Sequence, residues 1–284
     1  MKKSISIWSI DDNMSVEESI EFVSKCGFDG IELSFDEGGE IGFDTPEENL
    51  IKIRECAERN NIAISNISTW LHWDYPHTDN DPDVRKKGLE LAKKELETAK
   101  ILGAGCVLMI PGYVNVDFFI PDRPTIPYDV AYERAVAAFM EIKKYAEDLE
   151  VPACVENANE WGKFLMSPLE LRDFVDSIDS PYVRVLFDTG NCSISGYPEQ
   201  WIDVLGSQID CVHIKDYRRN PGGVHAFVDL LSGDLDFPAI IEALKAIGYA
   251  GFLVAEMLPQ YKYFPDLLAI NTSRAMDALL GRSV

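Results

Sequence analysis

Eight times over, this 284-residue chain follows a short apolar run with a longer stretch of helical periodicity, and no other feature constrains its fold so tightly. The pattern predicts strands near residues 4–8, 30–33, 62–67, 106–110, 152–156, 183–187, 209–214 and 252–256. The first helix falls near residues 15–26, with Ser15 and Glu18 spaced as a capping pair. The second is opened by Pro46. The third carries Val84, Gly88, Leu91, Leu96, Ala99 and Leu102 on one face and stops at Gly103-Ala104-Gly105. A loop rich in proline and aromatics leads to a fourth helix from about Tyr128 to Leu149, and the last four begin near Pro168, Pro198, Phe237 and Pro265. Strands alternating with helices make a parallel sheet. Eight such units close into an α/β fold of the (β/α)8 TIM barrel class, expected as one domain over residues 1–284. An open doubly wound sheet is the rival, but it calls for a glycine-rich turn after the first strand, where this chain has Ser9-Ile10-Asp11-Asp12.

Charge narrows the partners. Forty-eight acidic residues against 26 basic ones give a net charge of −22, a field that repels nucleic acid and anionic membrane surfaces. A small phosphorylated ligand stays compatible, because a few local donors outweigh distant charge. The cysteines at 26, 56, 106, 154, 192 and 211 form no C-x-x-C pair and read as small buried hydrophobes. The chain starts straight into a strand pattern without a signal-type segment, and no apolar run reaches membrane-spanning length. A reduced, cytoplasmic protein is expected.

The chemistry sits where the late strands end. The fifth ends in Glu156-Asn157, the sixth in Asp188, the seventh in His213 with Lys215-Asp216 beyond, and the eighth in Glu256. In a parallel barrel these ends share one rim, where active sites are built. Taken singly, a carboxylate at a strand end is more often a helix cap, and a buried histidine is more often merely hydrogen-bonded. Four on consecutive strands are a different matter. Three carboxylates so close repel unless a cation neutralises them or they share protons. Three oxygen donors and one nitrogen suit a divalent metal such as Mn2+, Mg2+ or Co2+ better than a thiolate zinc site does.

With these residues placed, the sequence resembles the xylose isomerase-like barrel superfamily, in its sugar-phosphate isomerase/epimerase branch with the ketose 3-epimerases and L-ribulose-5-phosphate 3-epimerases. The likeness covers nearly the whole chain. It is carried by Gly30-Ile31-Glu32-Leu33, Pro82-Asp83-Val84-Arg85, Leu102-Gly103-Ala104, Val155-Glu156-Asn157 and Phe187-Asp188-Thr189-Gly190-Asn191. Its later carriers are Val212-His213-Ile214-Lys215-Asp216, Gly233-Asp234-Leu235-Asp236-Phe237 and Ala255-Glu256-Met257. The resemblance implies that Glu156, Asp188, His213 and Glu256 hold one divalent metal ion. Mn2+ is the expected ion, with Mg2+, Co2+ or Zn2+ as alternatives. It implies further that Glu156 and Glu256 exchange protons with the substrate, a small ketose or ketose phosphate, through an enediolate. Free-ketose epimerases tend to carry a histidine where Asn191 stands and a glutamate where Gly162 stands, so this chain is closer to the sugar-phosphate group.

Other residues on the same rim are candidates for substrate contact: His72 after the third strand, Glu32 at the end of the second, Asn191, Lys215 and Arg218. Each has a plainer reading as a loop histidine, an ion-pair partner or a solvated basic loop. Trp8, Phe35, Trp70, Trp73 and Trp161 are candidates to pack on the C–H face of a sugar. A metal-dependent dehydratase or a 2-keto-inositol isomerase would share the four ligands. Abasic-site cleavage, found among the superfamily's multi-zinc relatives, needs more imidazoles than the four histidines present. A non-catalytic barrel is the remaining alternative. Self-association into a homo-oligomer is compatible with the sequence, which singles out no patch for it.

Overall fold

The structure, a computed structural model, describes residues 1–116, 120–223 and 225–283. Part of the expected loop rich in proline and aromatics, residues 117–119, thus lies outside the described residues. Eight parallel strands close into a barrel: β1 (Lys2–Ser6), β2 (Gly30–Ser34), β3 (Ala63–Ser68), β4 (Val107–Met109), β5 (Ala153–Glu156), β6 (Val183–Asp188), β7 (Ile209–Ile214) and β10 (Phe252–Ala255). Closure is direct, since β1 pairs with β2 on one side and with β10 on the other. The open-sheet alternative is thereby excluded. Two further strands, β8 (Asp216–Tyr217) and β9 (Phe227–Val228), form an antiparallel hairpin after β7.

The barrel strands are buried at nearly every position, as expected for strands covered by helices outside and side chains within. The helices begin where local chemistry favours it. Ser15 caps α1 (Val16–Lys25) in a reciprocal capping box with Glu18. After α2 (Glu47–Arg59) and the short α3 (Leu71–Asp74), Asp81 caps α4 (Pro82–Leu102), which has proline in its first turn. The helix ends at Gly103, whose φ of 71° is a left-handed cap. Helix α5 (Tyr128–Leu149) spans the predicted residues, α6 (Asn159–Gly162) is one turn long, and α7 (Pro168–Ile178) repeats the capping box with Ser167 and Glu170. The remaining helices are α8 (Thr189–Ser193), α9 (Pro198–Leu205), α10 (Phe237–Ala246) and α11 (Asp266–Leu280). Short elements such as α3, α6, α8 and the hairpin are too brief for a period to register, and the sequence pattern misses them. Among the described residues no helix is long and apolar enough to cross a membrane.

Gly88 shows how tightly the layer around β3 is built. A methyl group at its Cα would stand 2.3 Å from the Tyr75 carbonyl oxygen and 3.2 Å from His77 Nδ1. Alanine's helix propensity would gain about 1 kcal/mol at that position, but overpacking against backbone costs about 1–3 kcal/mol. Packing should win. Gly88→Ala is expected to lower Tm by several degrees in a thermal melt; an unchanged or higher Tm would refute this close approach of α4 to residues 75–77.

Candidate metal centre

Strands β5, β6, β7 and β10 are consecutive neighbours in the barrel, and side chains at or beside their C-terminal ends meet at one point. Glu156, Asp188, His213 and Glu256 each offer a ligand atom, and these four atoms lie within 4.8 Å of one another, all buried. Register gives part of the meeting. Asp188 pairs with His213 across β6 and β7, whereas Glu156 pairs with Leu186, two residues before Asp188, and His213 pairs with Val254, two residues before Glu256. The tilt of barrel strands brings this stagger to one rim.

Each side chain is aimed by a second set of contacts. Glu32 Oε2 stands 2.6 Å from His213 Nε2 and also accepts from Asn66 Nδ2. This fixes the proton on Nε2 and turns Nδ1 toward the three carboxylates, 2.9 Å from Glu256, 3.6 Å from Glu156 and 3.9 Å from Asp188. Asp188 divides its carboxylate. Oδ1 accepts from the backbone N–H groups of Gly190 and Asn191 at 2.7 and 2.8 Å, capping α8, while Oδ2 faces the site. Asn157 clamps the same residue from behind, donating to the Asp188 carbonyl and accepting from its N–H. Asn191 accepts from Trp161 Nε1 at 2.9 Å and reaches Glu156 Oε1 at 3.5 Å.

The charges are strongly interdependent. Lys215 Nζ lies 2.9 Å from both Asp188 Oδ2 and Glu256 Oε2. Burial disfavours a charge on Lys215, but Asp188, Glu256 and Glu156 outweigh it and hold the ammonium form. Burial, with Asp188 nearby, pushes the Glu156 carboxyl up. Burial pushes Glu256 the same way, but Lys215 and His213 prevail and hold it at about 2. The His213 imidazole is raised well above its ordinary value, burial being overcome by Glu32 and the two rim glutamates.

This arrangement fits a divalent cation. His213 Nδ1 and Asp188 Oδ2 are buried and make no hydrogen bond of proper geometry, although charged neighbours stand at 2.9 Å. Both atoms point at the space the four residues share. Hard oxygen donors with one imidazole are the donor set of Mn2+ or Mg2+ chemistry.

Above the four residues opens a cavity of about 450 Å³, within the roughly 300–1,000 Å³ of small-molecule sites. Glu156, Glu256, Asn191 and Lys215 contribute its polar wall, and Trp8, Trp70, Trp73, Trp161, Phe227 and Leu258 dominate the rest. Of the expected substrate contacts, Asn191 and Lys215 are therefore on the wall; three others are not. His72 is turned away: α3 presents Trp70 and Trp73 to the cavity, and the opposite face of that turn sends His72 to Glu95, Nε2 to Oε2 3.1 Å. Glu32 lies below the rim behind His213, where it cannot reach substrate. Arg218 is exposed and donates to the Ser232 carbonyl in its own loop. Phe35 packs edge-on against Phe43 rather than on the cavity. Sequence reading missed Phe227, Leu258, Pro259, Leu108, Ile110 and Thr69, as well as the orienting roles of Asn66 and Asn157. Only Asn157 had a signal, standing beside Glu156 at the strand end.

Comparisons with known proteins agree with this architecture. The sequence profile of the xylose isomerase-like TIM barrel family matches residues 20–275. A putative L-ribulose-5-phosphate 3-epimerase from Haemophilus influenzae is 24% identical over 271 residues, covering 92% of this chain and 90% of the relative. An L-ribulose-5-phosphate 3-epimerase from Salmonella paratyphi A is 25% identical over 270 residues, covering 93% and 89%. A D-psicose 3-epimerase structure determined in the presence of D-fructose superposes with a TM-score of 0.81 at 21% identity, covering 99% of this chain and all of the other.

Glu32 supplies a test of how the centre is oriented. Loss of a carboxylate behind a metal-binding imidazole typically weakens the metal about 10- to 100-fold. Glu32→Gln is expected to fall in that range for Mn2+ by titration calorimetry, with the folded circular-dichroism spectrum retained. An unchanged affinity would deny Glu32 its orienting role.

Proposed function

The chain belongs to the xylose isomerase-like TIM barrel family, and from that premise we propose that it epimerises or isomerises a small uncharged ketose with the help of one divalent metal ion. The observation that carries this reading is the convergence of Glu156, Asp188, His213 and Glu256 on one point beneath a sugar-sized cavity. Those four residues would hold the ion, with Mn2+ the expected occupant. When bound, the ion supplies positive charge beside the sugar oxygens on which negative charge builds during enolisation.

The chain's own groups account for the proton movements. Glu156 and Glu256 close the two ends of the four-strand arc, so a ketose lying between them has a carboxylate on each side. One takes the proton from the carbon next to the carbonyl, leaving a planar enediolate. The other delivers a proton to the opposite face, and the carbon is inverted. In the reverse direction the two exchange roles. A 1,2-isomerisation uses the same groups, with the proton returned to the neighbouring carbon. Lys215 and Asn191 stand on the wall as donors to sugar hydroxyls, and the tryptophans offer flat faces to the C–H side of the ring. Together they exclude water from the carbon acid.

Charge on the wall favours a sugar without phosphate. Among the described residues no arginine lines the cavity, and its one lysine is held between two carboxylates. The arginines of the loop after β7 are engaged elsewhere: Arg218 with Ser232, and Arg219 with the carbonyls of Ser193 and Gly196 at 3.1 Å. A phosphate would find no bidentate partner there, and the net charge of −22 opposes its approach. The phosphate in the names of the two curated relatives belongs to proteins about one quarter identical to this chain.

Four measurements test the proposal. Glu156→Gln and Glu256→Gln should each lower kcat by about 10²- to 10⁴-fold. Wild type in D2O should place deuterium on the inverted carbon, and a product free of deuterium would exclude proton exchange with solvent. Chelator-treated enzyme should lose turnover and regain it with Mn2+. In a panel of ketoses and their 5-phosphates, kcat/KM should be at least about tenfold higher for a free ketose, the factor expected from one unpaired charge contact of 1.4 kcal/mol. A preference for the phosphates would overturn the uncharged-substrate reading and leave the epimerase reading standing.

A further inference from the structure

Cysteines that look scattered along the sequence are gathered in the barrel. Cys106 immediately precedes β4, Cys154 lies in β5 two residues before Glu156, and Cys211 lies in β7 two residues before His213. All three are buried and all are free thiols. Two residues along a strand is about 6.6 Å, so these thiols form a layer directly beneath the rim. A carboxylate joins them. One ligand atom each from Cys106, Cys154 and Asp210 falls within 4.8 Å of the other two, and Cys154 Sγ stands 3.9 Å from Asp210 Oδ2.

The backbone explains why Asp210 is there. Between β6 and β7 the register shifts: Val185 pairs with Ile209, but the next pair is Leu186 with Cys211. Asp210 is the extra residue of this bulge, a feature that re-aims side chains. Its other oxygen, Oδ1, faces Arg184 Nε at 3.9 Å, and both side chains are partly exposed, which leaves a route in from the N-terminal end of the barrel.

A buried thiol needs no neighbours of its own kind to pack well. Two of them, Cys106 and Cys154, gathered with a carboxylate, make a donor set, and a softer one than the rim above. The geometry points to a second metal site in the barrel interior, in which Cys106, Cys154 and Asp210 bind a thiophilic divalent cation of the zinc type. Thiolate donors select such an ion over Mn2+ or Mg2+. Bonds of about 2.3 Å to a tetrahedral zinc space its sulfurs roughly 3.8 Å apart, so closing the 4.8 Å span asks for about 1 Å of movement. On binding, each thiol releases its proton to solvent, and the sulfur lone pair forms the bond to the metal. No electrons are transferred. Arg184 offsets part of the resulting negative charge. The ion would tie β4, β5 and β7 together below the strand ends that carry Glu156 and His213.

Cobalt distinguishes the two centres, because thiolate ligands give Co2+ a strong near-ultraviolet charge-transfer band that oxygen and imidazole ligands do not. The full-length protein titrated with Co2+ should develop that band and take up two equivalents by elemental analysis. The Cys106→Ser/Cys154→Ser double variant should lose the band and one equivalent while retaining the other. Asp210→Asn, at a partly exposed position and so milder to the fold, should weaken the cobalt that gives the band at least tenfold. A His213→Asn variant should keep the band, which separates this site from the rim whatever the rim does. Folded wild type that shows no band at excess Co2+, or a band that survives the double cysteine variant, would overturn the inference.

Discussion

Mutual repulsion among Glu156, Asp188 and Glu256 is the constraint around which the upper half of this barrel is organised. Three carboxylates with oxygens inside a 4.8 Å span, all buried, are unfavourable in any medium of low polarity. Everything nearby answers that charge. Lys215 reaches in from beyond β7 to touch two of the three, and Glu32 keeps His213 in the orientation that turns Nδ1 toward them. Two backbone amides of α8 take one oxygen of Asp188. Even Gly190 belongs to this set, since a methyl group there would stand 2.7 Å from Lys215 Cβ and 2.8 Å from the Phe227 ring. The small residue lets the lysine pass close to the start of α8.

How far the sequence discloses such a centre depends on depth and on phase. The four rim residues are legible because each closes a strand, and a parallel barrel brings strand ends to one level by construction. Glu32 also closes an apolar run, but its carboxylate is fully buried and bonded to His213 and Asn66, off the cavity wall, and no local pattern encodes that. His72 fails for a different reason. Within Trp70-Leu71-His72-Trp73 the residues that face the cavity are fixed by the rotation of a four-residue helix, too short to leave a period. Arg218 was placed on the right loop, yet the hairpin of β8 and β9 directs its guanidinium along the surface to Ser232.

The cavity wall illustrates a second kind of illegibility. Leu108 comes from β4, Ile110 from just beyond it, Phe227 from the hairpin, Leu258 and Pro259 from beyond β10. In sequence these look like core residues, and in chemistry they are. They line the cavity above strand ends that carry charge, which leaves their apolar faces turned to the open space rather than to core. An apolar wall facing a polar floor suits a molecule with hydroxyls on one side and C–H groups on the other.

Asp188 carries a consequence of its own. One carboxylate oxygen starts a helix and the other faces the centre, so the order of residues 189–193 and occupancy of the centre draw on a single side chain. Two equilibria that share a group are thermodynamically linked. Whatever free energy a firmly seated α8 lends to ion binding, the ion must return in equal measure to α8. Trp161, hydrogen-bonded to Asn191, the third residue of that segment, stands next in line, and the aromatic wall thereby becomes a reporter of the charge state beneath it.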